Sequence, residues 1–131
     1  MIMKLDYNSD IPIYVQLRNQ IVIGIGVGGL EYGEKLPTVR QLADDLSVNA
    51  MTVNKAYALL KNEGFIYIDR RHGAKVCTEW NKQADFNQKL ERELKLVISE
   101  ASLKGIERDE FMRICSSIFA AAASKHHPLP E

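Results

Sequence analysis

The sequence predicts a mainly α-helical protein with one small β-hairpin, in which two short helices form a helix-turn-helix unit and two longer helices follow the hairpin. Apolar residues recur three and four positions apart in five segments, which is the pattern of amphipathic helices. One short run of β-branched and aromatic residues separates the third segment from the fourth and predicts the hairpin. The chain has 131 residues, of which 46% are hydrophobic and 26% charged, as in an ordinary soluble domain. This size excludes a large multidomain enzyme.

The first helix is predicted at about residues 12–27 and ends at two glycines. Its apolar residues follow one another at fourfold spacing: Ile13, Leu17, Ile21 and Ile25. The pattern Gly24-x-Gly26-x-x-Gly29 matches a dinucleotide-binding fingerprint. That fingerprint needs a helix directly after it, whereas residues 31–37 have the composition of a turn or loop. We therefore interpret these glycines as the end of a helix.

The second helix is predicted at about residues 38–46, because Thr38 and Gln41 form a capping-box pattern. Asn49 is the predicted N-cap of the third helix, which stops at Gly64. Each of the two helices has one apolar stripe, formed by Val39, Leu42, Ala43 and Leu46 in the second and by Val53, Ala56, Tyr57 and Leu60 in the third. Two short helices joined by about three residues share a core only by crossing steeply, which is the helix-turn-helix unit.

The hairpin is predicted from strands at residues 65–68 and 74–78, with a break between them. Its tip carries Arg70, Arg71 and Lys75 within six residues and is the most basic short segment of the chain. Lys plus Arg and Asp plus Glu each number 17, so the net charge is zero and a nucleic-acid partner has to be inferred from such local patterns.

The outward face of the third helix is the second local pattern that suits nucleic acid. Residues 46–62 contain no acidic side chain, whereas Lys55 and Lys61 are basic. The residues that could reach base edges are Asn49, Ala50, Met51, Thr52, Asn54 and Lys55. An ordinary solvated helix face is the alternative interpretation of this pattern.

Arg40 lies in the first turn of the second predicted helix, where the helix dipole disfavours a cation. A nearby phosphate or guanine would explain an arginine at this position. A surface ion pair with Asp44, four residues further on, is the alternative.

Two longer amphipathic helices are predicted at about residues 83–104 and 108–124. The apolar stripe of the first contains Phe86, Leu90, Leu94, Val97, Ile98 and Ala101, and that of the second contains Phe111, Ile114, Cys115, Ile118, Phe119 and Ala122. Each stripe is about four turns long, more apolar surface than two helices lying against each other bury. We expect a second copy of the chain to cover the rest. Packing of both stripes on the first helix is the alternative.

The first part of the chain resembles the GntR family of bacterial transcription regulators. The matching elements are Ile11-Pro12-Ile13-Tyr14, Gly33-Glu34-Lys35-Leu36-Pro37-Thr38-Val39-Arg40-Gln41-Leu42-Ala43, Asn49-Ala50-Met51-Thr52-Val53-Asn54-Lys55-Ala56-Tyr57, Leu60 and Glu63-Gly64. The resemblance covers about residues 10–78 and implies a winged helix-turn-helix domain. It implies DNA contacts from Arg40, from the start of the recognition helix at Asn49 to Lys55, and from the wing around Gly73. The wing residues concerned are Arg70, Arg71, His72, Gly73 and Lys75.

Two positions depart from the pattern of this family. Ala50 stands where the family often has arginine, and Arg71-His72-Gly73-Ala74-Lys75 stands where many members have Gly-x-Gly-Thr-Phe. The 53 residues after Thr78 are too few for the large ligand-binding domains of the FadR and HutC types. They resemble the small YtrA subfamily, whose members dimerise through two helices. The expectation is a DNA-binding domain at 1–78, a dimerisation region at 79–131, a double-stranded DNA operator with an inverted repeat as partner, and no effector implied by the resemblance.

The sequence predicts neither an enzyme nor a bound cofactor, because no constellation of catalytic residues is present. Cys77 and Cys115 are interpreted as reduced thiols of a cytoplasmic protein, with a disulfide between them as the alternative. His126 and His127 are adjacent and do not share a helical face, which argues against a metal site. No apolar stretch is long enough to cross a membrane. The rival functions are a winged-helix module that docks protein and a small-metabolite sensor working between the C-terminal helices.

Overall fold

The computed structural model describes residues 4–78 and 85–125, which form five helices and a two-stranded antiparallel sheet. The helices are α1 (Ile13–Val27), α2 (Val39–Leu46), α3 (Ala50–Asn62), α4 (Phe86–Leu103) and α5 (Arg108–Lys125), and the strands are β1 (Ile66–Asp69) and β2 (Gly73–Val76). This order confirms the predicted fold class. The predicted first turn of the fourth helix, at residue 83, and the pair His126-His127 lie outside the described residues.

The caps of α2 and α3 are those that the sequence predicts. Thr38 Oγ1 accepts a hydrogen bond from the Gln41 N–H at 3.1 Å, and Gln41 Oε1 accepts one from the Thr38 N–H at 3.0 Å. Asn49 Oδ1 accepts a hydrogen bond from the Met51 N–H at 2.8 Å. Caps of this kind stabilise a helix by about 1 kcal/mol each. The start of each helix is therefore set by its own local sequence.

The three N-terminal helices and the hairpin enclose one hydrophobic core. α1 and α2 both pack against α3, and β1 follows directly from it. The largest fully buried side chains are Leu17, Ile21, Leu30, Leu36, Val53, Leu60 and Val76. A Cβ atom on Gly24 would lie 3.1 Å from Leu30 Cδ1, which is a tight contact. Gly28 is the C-cap of α1 and Gly29 has a φ of +97°, so that these glycines end the helix as predicted.

Residues 33–36, predicted as a turn or loop, pair with β2. The Gly33 N–H donates to the Val76 carbonyl oxygen at 3.0 Å, and the Leu36 N–H donates to the Ala74 carbonyl oxygen at 2.8 Å. Lys35 consequently lies directly opposite Lys75. This pairing joins segments about forty residues apart, and local composition gives no signal for it.

Arg18 of α1 fixes the turn between α3 and the hairpin. Its guanidinium donates two hydrogen bonds to the Glu63 carboxylate, both 2.9 Å long, and lies 5.5 Å from the centroid of the Phe65 ring. Between these two partners Gly64 adopts a φ of +85°, which glycine tolerates best. A bidentate, partly buried ion pair of this kind holds the hairpin at a defined angle to α3.

The two C-terminal helices are covered to different extents. α5 lies against α1, and its Ala122 is buried. α4 has no buried residue along its whole length. Packing of both stripes on the first helix, the alternative left open by the sequence, is therefore wrong for α4 and holds for part of α5. Leu96 and Leu103, which lie outside the predicted stripe, are 63% and 87% exposed.

The two cysteines and the helix lengths bear on two further predictions. Cys77 and Cys115 are not joined by a disulfide, which agrees with the prediction of two reduced thiols. Among the helices that the structure describes, none is both long and apolar enough to cross a membrane.

Candidate nucleic-acid interface

Arg40 is the second residue of α2, and its side chain is exposed. The alternative ion pair with Asp44 is not formed, and within residues 4–78 and 85–125 no carboxylate pairs with Arg40. The first turn of α2 contains no acidic residue that would offset this cation. Arg40 thus presents an unpaired guanidinium at the solvent-facing start of the helix.

Tyr57 connects α3 to the residues that precede α2. Its hydroxyl donates a hydrogen bond to the Pro37 carbonyl oxygen at 2.7 Å. The side chain is buried, and burial raises the pKa of Tyr57 to about 12. Because Pro37 directly precedes Thr38, the N-cap of α2, this bond sets the start of α2, and with it Arg40, relative to α3.

The outward face of α3 is arranged as the sequence predicts. Its apolar stripe is buried, while the opposite face is solvent-exposed at Ala50, Met51, Asn54, Lys55, Ala58 and Asn62. Met51 is the most prominent of these side chains, at 67% exposure, whereas Thr52 is half-buried. An exposed methionine next to polar side chains, with no carboxylate on the helix, suits the edges of base pairs in a major groove.

Two of the predicted contact residues have partners within the protein. Asn49 Oδ1 accepts the capping hydrogen bond of α3, while the side-chain amide hydrogens are available for a ligand. The Lys55 ammonium lies over the ring of Tyr14, 5.5 Å from its centroid. This contact joins the middle of α3 to the first turn of α1 and restrains a side chain that the sequence suggested was free.

The basic residues at the hairpin tip fall into two groups. Arg70 and Arg71 are exposed, and within the described part of the chain neither guanidinium pairs with a carboxylate. His72 and Lys75 both face Asp69, whose Oδ2 lies 3.1 Å from His72 Nδ1 and 3.9 Å from Lys75 Nζ. Gly73 has a φ of +80° and begins β2.

Asp69 is the functional candidate that sequence reasoning missed. Its Oδ1 accepts a hydrogen bond from the Arg71 N–H at 2.8 Å. This bond, followed by contacts to His72 and Lys75, holds the pKa of the Asp69 carboxyl below its usual range. The signal was present, because an aspartate at the start of a tight turn commonly accepts a bond from the N–H two residues on.

The residues predicted to form a dimer lie on faces that the described chain leaves largely open. Phe86, Leu90, Leu94, Val97 and Ile98 of α4 are all exposed, as are Ile114, Ile118 and Phe119 of α5. Phe111 is half-buried. Each of the two helices thus leaves a row of large apolar side chains open to water, and such rows often mark an interaction site.

Comparison with known proteins identifies the family. The family model described as "Bacterial regulatory proteins, gntR family" matches residues 13–76. The HTH-type transcriptional repressor YtrA of Bacillus subtilis (strain 168) is 34% identical over 110 residues, which cover 82% of this chain and 84% of that protein. Two other bacterial relatives match 54% and 63% of this chain, and the chain spans 59% of the one and 34% of the other.

Two solved structures extend this similarity to the fold. YtrA from Sulfolobus acidocaldarius, described as a GntR-family transcription factor, is 38% identical with a TM-score of 0.62, over 79% of this chain and 99% of that one. The AraR DNA-binding domain in complex with operator ORX1 is 26% identical with a TM-score of 0.50, over 57% of this chain and 93% of that one. These relatives are named regulators or repressors, which confirms the prediction against an enzyme. The chain belongs to the GntR family of bacterial regulatory proteins, in its YtrA subfamily.

Proposed function

We propose that this regulator is a repressor that binds an inverted-repeat operator as a homodimer in the cytoplasm. Residues 1–78 form the DNA-binding domain and residues 79–131 the dimerisation region. The observation that carries the proposal is the unpaired Arg40 beside an α3 face that is exposed and free of carboxylates. A similar domain, that of AraR, was solved on its operator, which supports DNA as the partner.

In the proposed complex α3 enters the major groove with its N-terminal end foremost. Asn54 and Lys55 donate hydrogen bonds to base edges, while Ala50, Met51 and the Thr52 methyl group contact thymine methyl groups. Asn49 donates its remaining amide hydrogens to the DNA, and Arg40 binds guanine or a phosphate. Because α2 and α3 are joined through Tyr57 and Pro37, these contacts are made by one rigid unit.

The wing supplies contacts that position the domain on the duplex. Arg70 and Arg71 bind phosphates, and Gly73 lets the backbone of the tip come close to the DNA. Lys75 adds positive charge to the same surface, where the His72 ring also lies. Phosphate contacts contribute to every DNA sequence alike, so the wing determines affinity and α3 determines sequence preference.

The dimer follows from the uncovered apolar surface of the C-terminal helices. α4 has 18 residues, and its predicted stripe is exposed except at Ala101, which is half-buried. A second copy of the chain is the simplest partner for this face, because a two-fold axis buries the same face of both copies against each other. Such an axis presents two winged helices to one duplex, which matches an inverted repeat with half-sites about one helical turn apart or a multiple of that.

Footprinting on the DNA upstream of the chain's own gene, paired with sedimentation, tests this proposal. We expect a protected segment with two symmetric halves and a dimer at micromolar concentration. Leu94→Asp places a charge in the stripe and is expected to give monomers with weakened binding. Ser99→Asp adds the same charge to the opposite side of α4 and is expected to leave the dimer and its DNA affinity unchanged.

Monomeric parent protein, together with full DNA affinity of the Leu94→Asp variant, would refute the dimer. The absence of any protected duplex would favour a module that docks protein instead.

A further inference from the structure

The wing tip contains one carboxylate among its cations. Asp69 ends β1, Arg70 and Arg71 follow it, and the side chains of His72 and Lys75 approach its carboxylate. Its side chain is 30% exposed, so it lies at the surface of the tip. A carboxylate on a surface that meets phosphates repels them, unless it has another task there.

The two oxygens of Asp69 have different tasks. Oδ1 accepts the Arg71 N–H at 2.8 Å and so shapes the backbone of the tip. Oδ2 faces His72 Nδ1 at 3.1 Å and Lys75 Nζ at 3.9 Å. One residue therefore both bends the tip and attracts two of its four basic side chains.

Lys75 has a further reason to stay with Asp69. The pairing of residues 33–36 with β2 puts Lys35 directly opposite Lys75. Like charges that face each other across a sheet destabilise the pairing. Asp69 offsets this repulsion, and the Lys75 side chain, at 24% exposure, is the less exposed partner of the ion pair.

We propose that Asp69 is a positioning residue of the DNA-binding wing, which leaves Arg70 and Arg71 free for phosphates and withholds Lys75 and His72 from them. The proposal deepens the proposed function and rests on it. It separates two classes of basic residue at the tip: arginines that bind DNA directly, and a lysine and histidine whose main partner is within the protein. Asp69 thereby limits the affinity of the wing for DNA of any sequence.

The test uses Asp69→Asn and Asp69→Ala in the full chain, with a labelled duplex of arbitrary sequence and with the operator. Asparagine keeps an oxygen for the Arg71 N–H but loses the charge, whereas alanine loses both. We expect Asp69→Asn to bind the arbitrary duplex about threefold to tenfold more tightly. The plot of log affinity against log salt should be steeper by about one, because one more phosphate is neutralised.

A matched control separates the local effect from the change of net charge. Glu107→Gln removes one negative charge between α4 and α5, far along the chain from the wing, and is expected to change binding less than twofold. Asp69→Ala is expected to bind both duplexes more weakly than Asp69→Asn does, since the tip no longer keeps its bend.

A double-mutant cycle with Lys75→Gln gives the decisive readout. If Asp69 withholds Lys75, then Lys75→Gln lowers DNA affinity about threefold more in the Asp69→Asn background than in the parent, which is the strength of an exposed ion pair. The loss of DNA affinity caused by Arg71→Gln should be equal in both backgrounds. A role of Asp69 in wing folding alone would give no such difference between lysine and arginine.

The proposal would be overturned if Lys75→Gln lowered DNA affinity equally in both backgrounds, or if Asp69→Asn bound DNA no more tightly than the parent. Binding of the operator by the parent protein would still support the proposed function in that case. If the parent binds no duplex at all, both proposals fall together.

Discussion

The hydroxyl of Tyr57 donates a 2.7 Å hydrogen bond to the carbonyl oxygen of Pro37. Tyr57 belongs to the apolar stripe of α3, so the same side chain fills the core and ties α3 to the entry of α2. Two of the elements that carry the proposed DNA contacts, α2 and α3, are thereby held together by one buried side chain. This relationship leads to the first two predictions.

Tyr57→Phe should lower the free energy of unfolding by about 1 to 2 kcal/mol, because the ring still packs but the Pro37 carbonyl loses its partner. Urea unfolding followed by circular dichroism measures this loss. Operator affinity should fall as well, since Arg40 is then less well placed relative to α3. If Tyr57→Phe had the stability and the operator affinity of the parent, this hydrogen bond would neither stabilise the fold nor position Arg40.

The stability of the protein should depend on Tyr57 at alkaline pH. Burial raises the pKa of Tyr57 from 10.0 to about 12, so the folded state disfavours the phenolate. The contribution of Tyr57 to the free energy of unfolding is complete below about pH 10, which is the pKa of a tyrosine in the unfolded chain. It is lost as the pH rises towards the higher pKa of the folded state. Between about pH 9 and pH 11 the parent should lose about 1 kcal/mol more than Tyr57→Phe does. If the unfolding free energies of the two proteins changed with pH in parallel, Tyr57 would not be the source of this loss of stability.

Arg40→Ala should lower operator affinity about fivefold to a hundredfold, the range of one specific arginine contact to a base. Its unfolding free energy should change by less than about 0.5 kcal/mol, because the side chain is exposed and makes no ion pair within the described residues. Asn62→Ala, at the far end of α3, is the matched control and should leave binding nearly unchanged.

The same Arg40 variant also distinguishes guanine from phosphate. If Arg40 contacts guanine, Arg40→Ala lowers affinity for the operator only. If Arg40 contacts a phosphate, the variant loses affinity for every duplex, and the slope of log affinity against log salt concentration becomes shallower by about one. Unchanged operator affinity would remove Arg40 from the interface.

The Tyr14 ring should hold the Lys55 ammonium in place for DNA. Tyr14→Phe keeps the aromatic face and is expected to bind like the parent, while Tyr14→Leu should bind about twofold to fivefold more weakly. In a Lys55→Met background the Tyr14→Leu change should have no further effect on affinity. Electrophoretic mobility shifts of the four proteins measure this coupling, and additive losses would contradict it.

Local signals were sufficient to predict most of the fold. The capping box at Thr38, the cap at Asn49 and the apolar stripes of five helices each depend on residues within one or two turns of one another. The structure places these features where the sequence predicts them. The exposed face of α3 follows from the same periodicity, because a buried stripe determines what faces away from it.

Contacts between distant segments could not be predicted in this way. Arg18 contacts Glu63 forty-five residues later, and residues 33–36 pair with β2 about forty residues further along the chain. The same limitation applies to α5, which covers part of its stripe on α1 while α4 stays open. Asp69 was missed for a different reason: it was interpreted as the break between two strands, and its bonds to Arg71, His72 and Lys75 depend on the bend of the tip.

The full chain can be used to select binding sites from a pool of random duplexes. We expect one inverted repeat to be enriched, with two chains in each complex, and we expect Arg40→Ala and Leu94→Asp both to reduce the enrichment. Enrichment of no sequence, or of a single unpaired half-site bound by one chain, would contradict a dimeric, sequence-specific regulator.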